Sequence, residues 1–193
     1  MASISRLGLI AAAAAMFFAA APRVSVDAAS IDLDNTQARF TAKHLLISTV
    51  QGFIPIKSVQ IALGANNVPT SIQAALDLSK LNTSNDQRDG DLRSDQFFDV
   101  QRFPTMTFAS TKITPQSGGS FVMAGNLTMH GVTKPVSLNG TVGATMKDGQ
   151  GKTHVGYTAT GTVDRTQWGV GSGYPDAIVG NSISITIAAE VIL

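Results

Sequence analysis

Between Gln37 and His44 the apolar side (Ala38, Phe40, Ala42, His44) alternates with Gln37, Arg39, Thr41 and Lys43, the period-two signature of a strand with one buried face. The C-terminal end repeats it: Ile183, Ile185, Ile187, Ala189, Val191 and Leu193 alternate with Ser182, Ser184, Thr186, Ala188 and Glu190. Between these two, the pattern predicts strands near 48–63, 70–79, 104–111, 119–129, 132–145 and 153–164. Eight strands with short links predict an all-β fold, an eight-stranded antiparallel closed barrel. The turn chemistry agrees: Gly118-Gly119, His130-Gly131 and Asp148-Gly149-Gln150-Gly151 punctuate the strands with residues that tolerate tight reversals.

Two segments break the rhythm, 88–99 (RDGDLRSDQFFD) and 164–176 (DRTQWGVGSGYPD). The first predicts a short lid helix with Asp91 near its start, stopped by Pro104, with its charges on a solvated face. Asn85, Gln87, Asp89 and Gly90 stand at the first offsets of a calcium loop, but offset 12 is Gln96, which cannot supply a bidentate carboxylate. The expectation is therefore no metal.

The N-terminus changes the picture of where the chain works. One Arg precedes an unbroken apolar run from Leu7 to Ala21, followed by Pro22, Arg23 and the small-x-small site Val26-x-Ala28. This predicts a secretory signal peptide over 1–28 and a mature domain over 29–193, periplasmic or secreted. A retained anchor is the weaker reading, because the run falls short of the roughly 20 apolar residues that span a bilayer. Removing Arg6, Arg23 and Asp27 leaves basic and acidic residues in equal number, so no nucleic-acid or anionic-membrane partner is expected. The absence of cysteine excludes disulfides, thiolate metal sites and covalent haem. His44, His130 and His154 are too scattered for a zinc motif, and neither a GxSxG elbow nor a phosphate loop is present. The expectation is no enzyme and no cofactor.

What remains distinctive is the inside of the barrel. Ala38, Ala42, Ala74, Gly125 and Gly140 share parity with larger apolar neighbours, and Met106, Met123 and Met129 add flexible walls suited to an irregular apolar guest. On composition alone, a filled interior competes with a ligand cavity.

The run LNTSNDQRDGDLRSDQFFDVQRFPTMTF (81–108) resembles the signature of YceI-like proteins, and GNLTMHGVTKPVSL (125–138) and DRTQWGVG (164–171) resemble its second and third blocks in the right order. The resemblance implies an exported lipocalin-like barrel with one or two short helices at its mouth, a long apolar cavity that binds a polyisoprenoid such as a quinone tail, and no catalytic residues. His44 and His130 match family positions, whereas Thr36-Gln37 and Asp91 stand where the family often has histidines. Strand parity, the two mouth segments and the resemblance together place Phe40, Leu76, Phe97, Phe98, Met106, Phe108, Met123, Leu127, Met129 and Trp168 around the guest. The expected partner is a long-chain amphiphilic lipid without stable membrane insertion, and a homodimer is left open. Three readings compete: a fatty acid or fatty amide carrier, an outer-membrane β-barrel, and a hydrolase on the same scaffold. Polar outward residues and few Tyr and Trp speak against the outer-membrane reading, and the missing nucleophile motifs against the hydrolase.

Overall fold

The computed structural model describes residues 29–193; the expected signal peptide lies outside the described residues. Nine antiparallel strands form one curled sheet: β1 (Ser30–His44), β2 (Ser48–Ile54), β3 (Ile56–Leu63), β4 (Pro69–Asp77), β5 (Thr105–Pro115), β6 (Ser120–Met129), β7 (Val132–Lys147), β8 (Thr153–Asp164) and β9 (Ser182–Ile192). Their spatial order is β2-β1-β9-β8-β7-β6-β5-β4-β3. The two ends of that order are consecutive in sequence, so a single residue, Pro55, joins the edges of the sheet.

The ninth strand and the form of closure have one cause. The expected strand 48–63 exists, but Pro55 divides it, because proline has no N–H to continue a ladder. Above the break β2 pairs with β1, from Ala38↔Ile54 to His44↔Ser48. Below it β3 pairs with β4 instead, from Ile56↔Leu76 to Leu63↔Pro69. The barrel is thus curled shut by its chain and not by a complete ring of hydrogen bonds, a correction to the expected closed barrel.

The period-two pattern is cleanest in β6 and β8. Along β6, Phe121, Met123, Gly125, Leu127 and Met129 are buried, and along β8, Val155, Tyr157 and Ala159 are. At the upper end of the barrel the hairpin between β6 and β7 turns on His130 (φ 51°) and Gly131 (φ 72°), the two left-handed residues of a type I′ turn. Two longer excursions cover this end. Residues 78–104 contain the helix α1 (Asp86–Arg93), and residues 165–181 begin with a helical turn over Arg165–Trp168.

Helix α1 is shorter than the expected 88–99 and begins earlier. Asn85 is its N-cap, its side chain accepting from the Arg88 N–H at 2.9 Å. Extended backbone at Ser94 ends it, so Phe97 and Phe98 lie in turns beyond the helix. Its charges are not all solvated either. Asp89 is 2% exposed, and one carboxylate oxygen accepts from both the N–H and the hydroxyl of Thr83, at 2.9 and 2.6 Å. Asp99 is also buried. These carboxylates brace the excursion from within, Asp89 through Thr83 and Asp99 through Arg102.

Candidate functional site

The inward faces of the strands enclose a cavity of about 240 Å³. Nine of the ten side chains expected around it line it: Phe40, Leu76, Phe97, Phe98, Met106, Phe108, Met123, Leu127 and Met129. Trp168 does not. It is 1% exposed, and its indole N–H donates to the Leu127 carbonyl at 3.0 Å, which holds the ring in the barrel wall with the loop that carries it. An indole nitrogen needs a buried acceptor, and the backbone of β6 supplies one.

Several lining residues were not singled out from the sequence, among them Ile54, Ile56, Val59, Ile61, Ile72 and the row Ile183, Ile185, Ile187 on β9. The alternation on β9 was visible; what it lacked was anything to separate cavity wall from filled core. Tyr157 also lines the cavity. Its hydroxyl donates to the Asn67 carbonyl at 2.7 Å, and burial pushes its pKa up to about 12.

The roof is built from the two excursions. Phe97 stacks on Tyr174 with ring centroids 5.0 Å apart, the Tyr174 hydroxyl donates to Gln96 Oε1 at 2.8 Å, and the Gly171 N–H donates to the Gln96 carbonyl at 3.1 Å. Beneath them lies Arg165, 4% exposed. Its Nε donates to the Gly180 carbonyl at 3.2 Å, Nη1 to the carbonyls of Val170 (2.8 Å) and Gly171, and Nη2 to the carbonyls of Tyr174 (2.9 Å) and Val179 (2.7 Å) and to Asn181 Oδ1 (2.9 Å). All five donors of the guanidinium are thereby committed to one loop. Burial lowers the pKa of Arg165, yet an arginine stays protonated in a protein. The sequence offered only a lone Arg beside a Gly-rich run, and nothing there marks it as a hub.

Two other polar side chains at the wall make hydrogen bonds of their own. The Thr36 hydroxyl donates to the Asp32 carbonyl at 2.6 Å and accepts from the Glu190 N–H at 3.1 Å. Arg39 Nε and Nη2 donate to Gln37 Oε1 at 3.1 and 2.7 Å. No carboxylate, imidazole or serine lines the cavity. Chemically the arrangement can enclose an apolar body, and it offers such a body no reactive group. Among the described residues no three His, Cys, Asp or Glu side chains gather as a metal site.

Comparison with known proteins agrees with this architecture. A family model described as a YceI-like domain matches residues 23–191. A UPF0312 protein of Vibrio vulnificus is 31% identical over 122 residues, which are 63% of this chain and 65% of the relative, so the match spans just under two thirds of that relative's length. A UPF0312 protein of Yersinia enterocolitica is 30% identical over 152 residues, 77% of this chain and 78% of the relative. Among solved structures, the YCEI protein of Campylobacter jejuni superposes with a TM-score of 0.69 at 27% identity, covering 78% of this chain and 89% of its own. BcnA of Burkholderia cenocepacia reaches 0.74 at 19% identity, covering 83% and 99%. A polyisoprenoid binding domain from Saccharophagus degradans reaches 0.61 at 15% identity, covering 86% and 98%; these last two share the fold.

Proposed function

The chain belongs to the YceI-like family, and on that premise we propose that it is an exported binding protein that holds a long-chain isoprenoid, of quinone or polyprenyl type, inside the barrel for transport or storage. The observation that carries the reading is the wall itself: an apolar cavity whose buried polar groups, Thr36, Tyr157 and Arg165, already have partners. Burial of apolar surface is then the whole of the attraction. At about 0.8 kcal/mol per CH₂, a chain of several isoprene units is strongly held without a single hydrogen bond. For a fatty acid carboxylate the buried guanidinium of Arg165 has no donor left, which leaves Arg39, an exposed side chain at the wall, as the guanidinium it could reach. The Saccharophagus domain, described as binding a polyisoprenoid, has the same fold and is consistent with the proposal.

Mass spectrometry of the native protein tests this, with a co-purified prenyl lipid as the expected result. Ala42→Trp places a large ring among the lining residues at a cost of about 1–3 kcal/mol of overpacking. A folded Ala42→Trp protein should carry much less lipid; equal occupancy would place the guest outside the barrel. Export rests on residues 1–28, and N-terminal sequencing of the secreted or periplasmic protein should begin at Ala29.

A further inference from the structure

The break at Pro55 leaves two seams in the wall, and they are treated differently. Above it, the free edge of β2 faces the gap toward β4, and the 78–104 excursion fills that gap. Phe53 and Asn82 exchange backbone hydrogen bonds at 2.9 and 3.0 Å, Asp77 N–H donates to the Pro55 carbonyl at 2.8 Å, and Leu78 and Leu81 are fully buried there. Below it, the lower half of β1 pairs only with β9 and β3 pairs only with β4. These two strands approach within 8 Å, yet no ladder joins them.

Both edges of this lower seam are built so as not to pair. In β1 the register shifts between Asp32 and Gln37. The Asp32 carboxylate takes the N–H groups of Asp34 and Asn35 at 3.0 and 3.2 Å, and the Thr36 hydroxyl takes the Asp32 carbonyl. Backbone groups that a neighbouring strand could use are satisfied locally. In β3 the register shifts between Ile56 and Ser58, with Lys57 and Ser58 exposed. A bulge and a lysine are the devices by which edge strands avoid partners. Directly inside the seam are Ile31, Ile56, Val59 and Ile61, all cavity-lining and all only half-buried.

We infer that this seam between β1 and β3 is the portal through which the guest enters and leaves the cavity. The inference rests on the proposed binding of an apolar chain. β3 has eight residues, so the slot is about 26 Å long at roughly 3.3 Å per residue. An extended chain passes such a slot broadside, and no barrel hydrogen bond has to break.

The test uses all-trans-retinol, an isoprenoid with an extended polyene chain and one terminal ring, whose fluorescence rises in an apolar site. Asp34→Cys with Ser58→Cys introduces the only two thiols of the chain, both at exposed positions flanking the seam; they are joined by a cleavable bis-maleimide. A control pair, Ala65→Cys with Ser117→Cys, links the β3–β4 and β5–β6 loops at the lower end. Linking the seam should slow retinol uptake and release at least tenfold while leaving the final fluorescence unchanged, and cleavage should restore the rate. Uptake at the unlinked rate, or slowing by the control link instead, overturns the portal. A single bulky maleimide on Ser58→Cys is an independent check, expected to slow uptake several-fold, with an unchanged rate again counting against the portal. Failure of the wild-type protein to raise retinol fluorescence at all rejects the binding reading, and the portal with it, whereas binding with unaltered kinetics rejects the portal alone.

Discussion

The ring of Phe121 occupies the space above Gly140, its partner across the β6–β7 ladder, so closely that a Cβ on residue 140 would overlap the ring. Phe40 sits over its own ladder partner Gly52 in the same way, and Phe108 sits over Gly125, two residues along from its partner Leu127. Three bulky rings are thereby seated against the wall, which keeps the lumen open although its lining is rich in large side chains.

Gly140→Ala should displace the Phe121 ring toward the lumen. The expected cost is about 1–3 kcal/mol from overpacking, together with a marked drop in co-purified lipid. Gly140→Ala combined with Phe121→Leu should recover occupancy. Thermal unfolding and lipid mass spectrometry read the two effects separately, and full occupancy in Gly140→Ala would show that the seat is irrelevant to the cavity.

The β1–β2 hairpin turns on Leu45 (φ 54°) and Leu46 (φ 62°), with the Ile47 N–H bonded to the His44 carbonyl at 3.3 Å. This is a type I′ turn made from residues that disfavour it; left-handed backbone costs a Cβ-bearing residue roughly 1–2 kcal/mol. Leu45→Asn with Leu46→Gly should raise stability by about 1–2 kcal/mol in denaturant titration, since neither leucine is buried. A loss of stability would mean that the exposed leucines contribute contacts that outweigh the backbone cost.

Arg165→Met should be among the most damaging substitutions in the chain. It strands five carbonyls and the Asn181 amide oxygen, and the expected loss is about 3–5 kcal/mol. Arg165→Lys should rescue little, because three donors on a flexible stem cannot reproduce a planar fork. Equal stability of the Lys variant and the wild type, by chemical unfolding, would remove the hub.

His154 joins strands at the lower end: its Nδ1 lies 2.6 Å from Glu190 Oε1 and its Nε2 3.2 Å from Asp148 Oδ2. Those hydrogen bonds, to Glu190 first and then to Asp148, raise its pKa above 6.5. The folded state therefore holds the proton more tightly than the unfolded chain. The stabilisation is complete below about pH 6.5 and is lost as pH rises through the folded pKa. The melting temperature should decline as pH rises above about 6.5, and His154→Gln should flatten that decline. An unchanged slope in the variant would assign the pH dependence elsewhere.

The sequence by itself determined the all-β class, the approximate strand positions and most of the inward faces; that nine of the ten residues expected around a guest line one cavity was decided by the fold. Period-two alternation is local, and burial of one face follows from it wherever the sheet curls. It could not tell that Gly125 and Gly140 are ring seats and not empty space, because that depends on which residue stands opposite across the ladder. It could not place Trp168 in the wall, whose indole N–H is held by the backbone of a strand 41 residues away. Nothing in the sequence marked Arg165, since its partners, chiefly backbone carbonyls of residues 170–180, gather around it only when that loop folds, and Asp89 read as a solvated charge although Thr83, six residues away, buries it. Pro55 was plain in the sequence, but its consequence was decided by tertiary structure: a missing N–H becomes a seam only when the two halves of one strand take different neighbours.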